Sequence, residues 1–437
     1  MISTEILGLL GFILLFVILL MGVPIALGAA LIGFLGLWFI SGSDAALNIL
    51  GVVPFSRANS YMFIVIPLFV FMGFLAFYCG IPTRAFEAAR KWLGHIPGGL
   101  AMAVIFGNAA FGACSGSSVA ACATMGRLTI PEMLKLNYSP RIATGVVAAT
   151  GSFAAMIPPS GMAVVYAIMA NTSVGQQLLA GLFPGLITAF LFAIQIYIMV
   201  KLKPTLGGGK ATSYSWPERF RALPPTWGVL LIALVIIGGI YSGVFTPIEA
   251  AGISAFIAFI LLLITRGINK WASFLDSLRE TGTTTAMVFL LIVGFTIFAH
   301  FISLSRLPSA IVGWITILNL NRYIVLTLIV VLYLMLGCFM DALGMMLVTM
   351  PMVVPLMQSL GFDLVWFGVM LIKLCEIGAI TPPIGVNIYV VKGIAPPGIS
   401  MGDIFLGALP FLICELVSVV LLAAVPQIAL FLPSTMG

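Results

Sequence analysis

Apolar runs about twenty residues long recur along the whole of this chain, and no other feature limits its possible folds so strongly. A helix of that length crosses the roughly 30 Å hydrocarbon core of a bilayer. Inside that core every backbone N–H and C=O must be satisfied within the protein, so only helices and closed barrels are viable. Barrel strands alternate apolar and polar residues, a pattern these runs do not show. Of the 437 residues, 62% are hydrophobic and 7% charged, against roughly 25% charged in soluble domains. The mean hydropathy is +1.23. A soluble enzyme, a nucleic-acid module and a disordered scaffold are excluded, and the chain reads as an all-α polytopic membrane protein with the lipid bilayer as its solvent.

Spans are expected at 5–22, 24–40, 61–79, 141–170, 177–200, 226–243, 247–265, 283–302, 365–394 and 404–425. Two further apolar regions, about 98–136 and 308–360, are broken by Gly, Ser, Asp and Pro. They are read as re-entrant hairpins, which leaves ten crossings. With the N-terminus outside, 15 of the 19 Lys and Arg residues fall in cytoplasmic segments, including Arg84, Arg90, Lys91, Lys210 and Arg266. Arg57, Arg306 and Arg322 fall outside, and Lys373 lies in a span. The positive-inside rule favours this orientation. The N-terminus lacks the basic region of a signal peptide and is read as a retained first span. Cys79, Cys114, Cys122, Cys338, Cys375 and Cys414 form no CxxC pair and read as small buried hydrophobes.

The segment 201–225 is polar, basic and rich in Gly and Pro, and reads as a cytoplasmic linker between two halves, 1–200 and 226–437. Its Gly-Lys is no phosphate loop, because Pro204 and Ala211 replace the required Gly and Ser/Thr. The halves repeat. Gly22-Val-Pro24 corresponds to Phe245-Thr-Pro247, Gly112–Gly116 to Gly337–Asp341, Ile157–Gly161 to Thr381–Gly385, and Phe183-Pro184 to Leu409-Pro410, at offsets of 223 to 226. Five crossings per half would turn the second half upside down, the inverted repeat of secondary transporters. Amphipathic stretches at 83–95 and 270–280 are expected to lie in the interface plane.

The chemistry is expected at four breaks: Gly112–Ser118, Pro158–Gly161, Gly337–Asp341 and Thr381–Asn387. Irregular backbone at membrane depth survives only when it is buried in protein or lines a wet cavity. A Pro-Pro-x-Gly inside a helix frees carbonyls of the preceding turn, which together with Ser and Thr hydroxyls suit a hard cation such as Na⁺. The next half-helix presents free N–H groups and a partial positive charge, which suit a carboxylate. Two cation sites flanking one anion site are expected. Asp341 is read as a second-site cation ligand, a proton site or a hairpin cap. Lys373 and Glu376, three apart on one helix, are expected to neutralise each other. Glu249 and Glu415 are read as helix-end or interface residues, and Asn108 and Asn387 as residues that orient a hairpin and a break. His95 and His300 have no ligand partner in the sequence, and no nucleophile–base order suggests an enzyme.

The motifs Phe111-Gly-Ala-Cys-Ser-Gly-Ser-Ser118, Ile157-Pro-Pro-Ser-Gly161 and Thr381-Pro-Pro-Ile-Gly-Val-Asn387 resemble those of the large membrane subunit of the tripartite ATP-independent periplasmic (TRAP) transporters. The resemblance covers nearly the whole chain. It implies a multi-pass protein of a bacterial or archaeal inner membrane and an elevator fold of the ion-transporter superfamily. It implies two partners, a small four-helix membrane subunit, here separate, and a soluble periplasmic substrate-binding protein. It also implies Na⁺-driven import of organic acids such as sialic acid or C4-dicarboxylates. Carried over by position, the first Na⁺ site would draw on Ser115, Gly116, Ser117 and the break from Pro158 to Gly161. The second would draw on Gly337, Asp341, Thr381, Pro382 and Gly385. Ser118, Ser160 and Asn387 are the expected substrate contacts. The rivals are a stand-alone carrier of the same superfamily and an ion channel, though no charged pore ring supports a channel.

Overall fold

The computed structural model describes residues 3–208, 213–265, 269–383 and 385–436, apart from the Ser115 side chain. Lys210, Ala211, Arg266 and Ile384, named above, lie outside the described residues, as does that side chain. The described residues are helical almost throughout and form no strand. A single isolated bridge joins Tyr138 to Gly207. Among the described residues, seven helices are long and apolar enough to cross a membrane: Tyr61–Tyr78, Val174–Leu202, Trp216–Tyr241, Pro247–Ile264, Lys270–Leu304, Ala342–Ser359 and Met401–Ala424. Thr4–Leu20 and Ile25–Ser41 are equally apolar but shorter. Each of the expected spans 141–170 and 365–394 is two helices, Pro140–Ala154 with Gly161–Met169, and Leu364–Gly378 with Val386–Ile394.

One group of helices forms a frame. Ile25–Ser41 lies along Lys270–Leu304, and Val65–Tyr78 lies along Pro247–Ile264. Lipid tails are as apolar as Leu, so helices in a bilayer gain by close packing through small residues. A Cβ added to Gly33 would stand 2.6 Å from the Phe298 nitrogen, and one on Gly294 would stand 2.2 Å from the Ala26 carbonyl oxygen. Pro247–Ile264 starts with Pro at its first position, where the missing N–H costs nothing. Thr246 and Glu249 close a capping box there, with the Thr246 N–H donating to Glu249 at 2.8 Å. Glu249 is thus a helix-end residue.

Lys270–Leu304 is one continuous helix of 35 residues, about 52 Å long at 1.5 Å per residue. The stretch 270–280 is therefore the end of a span and not a separate helix in the interface plane. Gly282 alone does not break the helix, and the Thr281 and Thr283 hydroxyls donate back to the carbonyls of Ser277 and Arg279. Ile81–Leu93 is the separate amphipathic helix that 83–95 predicts. The linker is partly helical and packed: Trp216–Ala222 lies against that helix, and Trp92 Nε1 donates to the Arg219 carbonyl at 3.0 Å.

The second group holds the breaks. Gly99–Ser115 and Ser118–Lys135 pack on each other and on Pro140–Ala154. Within 308–360 the chain makes three helices, Leu307–Ile317, Arg322–Leu336 and Ala342–Ser359, of which the last two both pack on Leu364–Gly378. The second segment of each broken helix crosses to the opposite half. Gly161–Met169 packs on Ala342–Ser359, and Val386–Ile394 packs on Ser118–Lys135. Leu182–Leu202 and Met401–Ala424 pack on each other. The frame meets the helix before the first hairpin tip and the helix after the second, Val65–Tyr78 against Gly99–Ser115 and Lys270–Leu304 against Ala342–Ser359.

Candidate functional site

Each hairpin tip lies against the break of its own half. The first tip turns at Gly116, in the left-handed region at φ +58°, a conformation that glycine adopts without steric cost. A Cβ there would stand 2.3 Å from the Pro159 carbonyl oxygen and 3.1 Å from the Gly161 nitrogen. The structure thus brings Gly116 together with Pro158–Gly161, where both were expected. Ser117 caps the next helix, its Oγ accepting from the Ala120 N–H at 3.3 Å. Ser160 does the same at the break, accepting from the Ala163 N–H at 3.2 Å, and it is buried. Two hydroxyl-capped helix N-termini, Ser118–Lys135 and Gly161–Met169, therefore start beside one stretch of irregular backbone.

The second half repeats the arrangement with different side chains. A Cβ on Gly337 would stand 2.3 Å from the Gly378 Cα, so backbone meets backbone. Cys338 Sγ donates to the Pro382 carbonyl at 2.9 Å. Asp341 caps Ala342–Ser359, accepting from the Gly344 N–H at 3.0 Å. Thr381 donates back to the Ile377 carbonyl at 2.7 Å, and Gly385 turns at φ +56°. The peptide bonds Pro158–Pro159 and Pro382–Pro383 are both cis.

Asn387 joins the halves. It is fully buried, and its Nδ2 donates to the Ala148 carbonyl on the first broken helix at 3.4 Å. A Cβ on Gly151 would meet both the Ser118 carbonyl oxygen, at 2.9 Å, and Asn387 Nδ2, at 3.3 Å. Ser118 and Asn387 therefore share one small volume. Asn108 ties the first hairpin to the first broken helix by donating to Thr150 Oγ1 at 2.5 Å.

The buried charges pair differently from the sequence expectation. Lys373 forms its ion pair with Glu415, not with Glu376. Lys373 also donates to Thr188 Oγ1 at 2.6 Å, and Ser152 Oγ donates to Glu415 Oε1 at 2.7 Å. Both ends of the pair are 1% exposed, so Glu415 is a core residue rather than an interface one. The i, i+3 spacing suggested a local pair, but a charge fully inside a bundle is met by whichever helix packs over it. Four helices are joined by this cluster, and sequence alone gave no sign of its membership. A cavity of about 390 Å³ lies elsewhere, between Arg90, Gly98, Tyr138, Lys201 and Tyr214. Beside Ser160 and Gln177 there is room for only about 10 Å³. The breaks are the candidate site on chemical grounds: side-chain-capped helix N-termini meet irregular Pro-Pro backbone and hydroxyls there.

Broken helices paired with hairpins in a multi-pass helical protein define a membrane permease. Residues 12–428 match the DctM component of the tripartite ATP-independent periplasmic transporters, and the chain belongs to that family. It is 33% identical over 396 residues to the C4-dicarboxylate TRAP transporter large permease protein of Pseudomonas aeruginosa, covering 90% of this chain and 91% of that one. It is 33% identical over 412 residues to the sialic acid TRAP transporter large permease protein of Vibrio cholerae, covering 94% and 95%. Its fold matches the crystal structure of the Alcanivorax borkumensis YdaH transporter with a TM-score of 0.62 at 14% identity, over 87% of this chain and 89% of that one.

Proposed function

We propose that this chain imports a carboxylate-bearing solute across the bacterial inner membrane, driven by Na⁺ moving down its gradient. The observation that carries this reading is the pairing of each hairpin tip with a Pro-Pro break, which sets capped helix N-termini beside freed carbonyls. Carbonyls and hydroxyls at Gly116, Ser117 and Pro158–Gly161 fit one Na⁺. Gly337, Asp341, Thr381, Pro382 and Gly385 fit another. Bound Na⁺ supplies positive charge that the solute carboxylate then shares with the N–H groups near Ser118, Ser160 and Asn387. The named substrates of the two relatives, C4-dicarboxylates and sialic acid, are both carboxylates and set the expected class.

In this reading the halves are inverted repeats, the N-terminus is periplasmic, and the hairpins with the broken helices slide as one body against the frame, an elevator form of alternating access. The frame contacts leave that body joined mainly through Gly99–Ser115 and Ala342–Ser359. The partners are a small four-helix membrane subunit and a periplasmic substrate-binding protein, as the family's tripartite character suggests. The test is uptake of labelled succinate or sialic acid into proteoliposomes holding this chain and its small subunit, under an inward Na⁺ gradient. Uptake that requires the binding protein is expected. Equal uptake without it would favour a stand-alone carrier.

A further inference from the structure

Glu376 is the buried charge that the fold leaves without a counterion. It lies on Leu364–Gly378, two residues before that helix ends at the second break, and is 2% exposed. Lys373, the one cation on the same helix, is taken by Glu415. Glu376 Oε2 has no hydrogen-bond partner in the structure. The groups that face Glu376 are the Ser118 hydroxyl on the first hairpin, the Cys122 thiol one turn further on, Asp341 on the second hairpin, Glu415 with Lys373, and its neighbour Cys375. Among the described buried residues of this core there are two full carboxylates for one ammonium. An ionised carboxylate so far from water is unfavourable unless a cation or several donors satisfy it.

The location of Glu376 adds a second observation. It reaches across the halves to Ser118, in the first turn of the helix that Ser117 caps. Asn387 shares the volume around Gly151 with Ser118, and its Oδ1 is also buried without a partner. Two residues with buried, unpartnered acceptor oxygens, Glu376 and Asn387, thus lie beside Ser118 at the base of the first hairpin tip. Acceptors without donors are what a bare cation requires. Of the two expected cation sites, the second already has a carboxylate in Asp341, whereas the first has only neutral oxygens from its own half.

We propose that Glu376 is the acidic ligand of the cation site at the first hairpin, lent by the second half of the chain. This rests on the Na⁺-coupled reading above. It gives each site one carboxylate and makes occupancy of the first site depend on contact between the halves. A cation bound there would fasten Leu364–Gly378 to Ser118–Lys135, adding a Na⁺-dependent tie to the contacts that already join the two halves.

The test is Na⁺-dependent thermal stabilisation of the purified complex with its small subunit, titrated with NaCl against KCl at constant ionic strength and pH. A ligand that binds only the folded state raises its stability with concentration. Wild type is expected to be stabilised by Na⁺ and not by K⁺. E376Q, which keeps the size and removes the charge, is expected to need at least tenfold more Na⁺ for half the effect. E376D is expected to fall between the two. An E376Q midpoint equal to wild type would overturn the proposal while leaving Na⁺ coupling intact. No Na⁺ response in wild type would overturn the Na⁺ reading itself, and this proposal with it. Should E376Q fail to fold, equilibrium binding of ²²Na⁺ to E376D decides: an affinity equal to wild type would count against Glu376.

Discussion

Lys373 is held by a partner 42 positions later in the chain and by the Thr188 hydroxyl, and that partner, Glu415, also accepts from Ser152 on a fourth helix. Removing one member of such a pair leaves the other charged in an apolar interior, at a cost of about 3–5 kcal/mol. K373M or E415Q should therefore lower the melting temperature of the detergent-purified protein sharply. The double variant K373M/E415L should recover most of the loss, because a buried pair and an apolar pair of similar volume are nearly equivalent. Single variants that melt with wild type would show that the pair does not bear on stability. Ser160 offers a smaller test. Losing a hydroxyl cap costs about 1 kcal/mol, so S160A should melt slightly lower and also bind solute more weakly in counterflow. Unchanged behaviour in both assays would remove Ser160 from the site. At this scale the sequence was informative about positions and poor about partners. It marked Asp341 as costly at membrane depth and singled out Lys373 and Glu376 as a pair and Asn387 as a residue of the second break. It paired Lys373 with the wrong acid because spacing reports neighbours on one helix only.

Helices and their breaks were more legible. Gly and Ser clusters marked the first hairpin tip, and Pro-Pro marked both interrupted spans, because each removes or strains the backbone bonds that a helix needs. The amphipathic pattern of 270–280 suggested an element separate from the span 283–302, and Lys270–Leu304 is one continuous helix through Gly282. Ser43–Ala58 and Gln427–Ser434 are helices that the apolar runs did not mark, since Ser43–Ala58 carries Asp44 and Arg57 and Gln427–Ser434 is too short to span. The contact of Gly337 with Gly378 is the element-scale feature most open to test, since each would place a Cβ within 2.6 Å of the other's Cα. G337V should push the second hairpin off the second break. We expect a stability loss of about 1–3 kcal/mol and a loss of solute uptake exceeding tenfold. Wild-type uptake in G337V would mean that the tip need not touch the break.

Across the whole molecule, four offsets between 223 and 226 suggested a duplication, because prolines and glycines at breaks and turns are the positions a repeat pattern can be read from. What the offsets could not reveal is that each broken helix sends its second segment into the other half. That exchange explains why the candidate site draws on both halves at once: Ser118 and Gly151 from the first, Glu376 and Asn387 from the second. It also explains why the frame, built from Ile25–Ser41, Val65–Tyr78, Pro247–Ile264 and Lys270–Leu304, touches the site-bearing helices along limited seams. The central claim is that solute and Na⁺ cross together on this site. The most direct measurement is simultaneous flux of ²²Na⁺ and labelled solute in proteoliposomes containing both membrane subunits and the binding protein. The account predicts two Na⁺ entering with each solute molecule, and no solute accumulation when Na⁺ is replaced by K⁺. Solute accumulating to the same extent in K⁺, or Na⁺ entry that ignores solute, would contradict it.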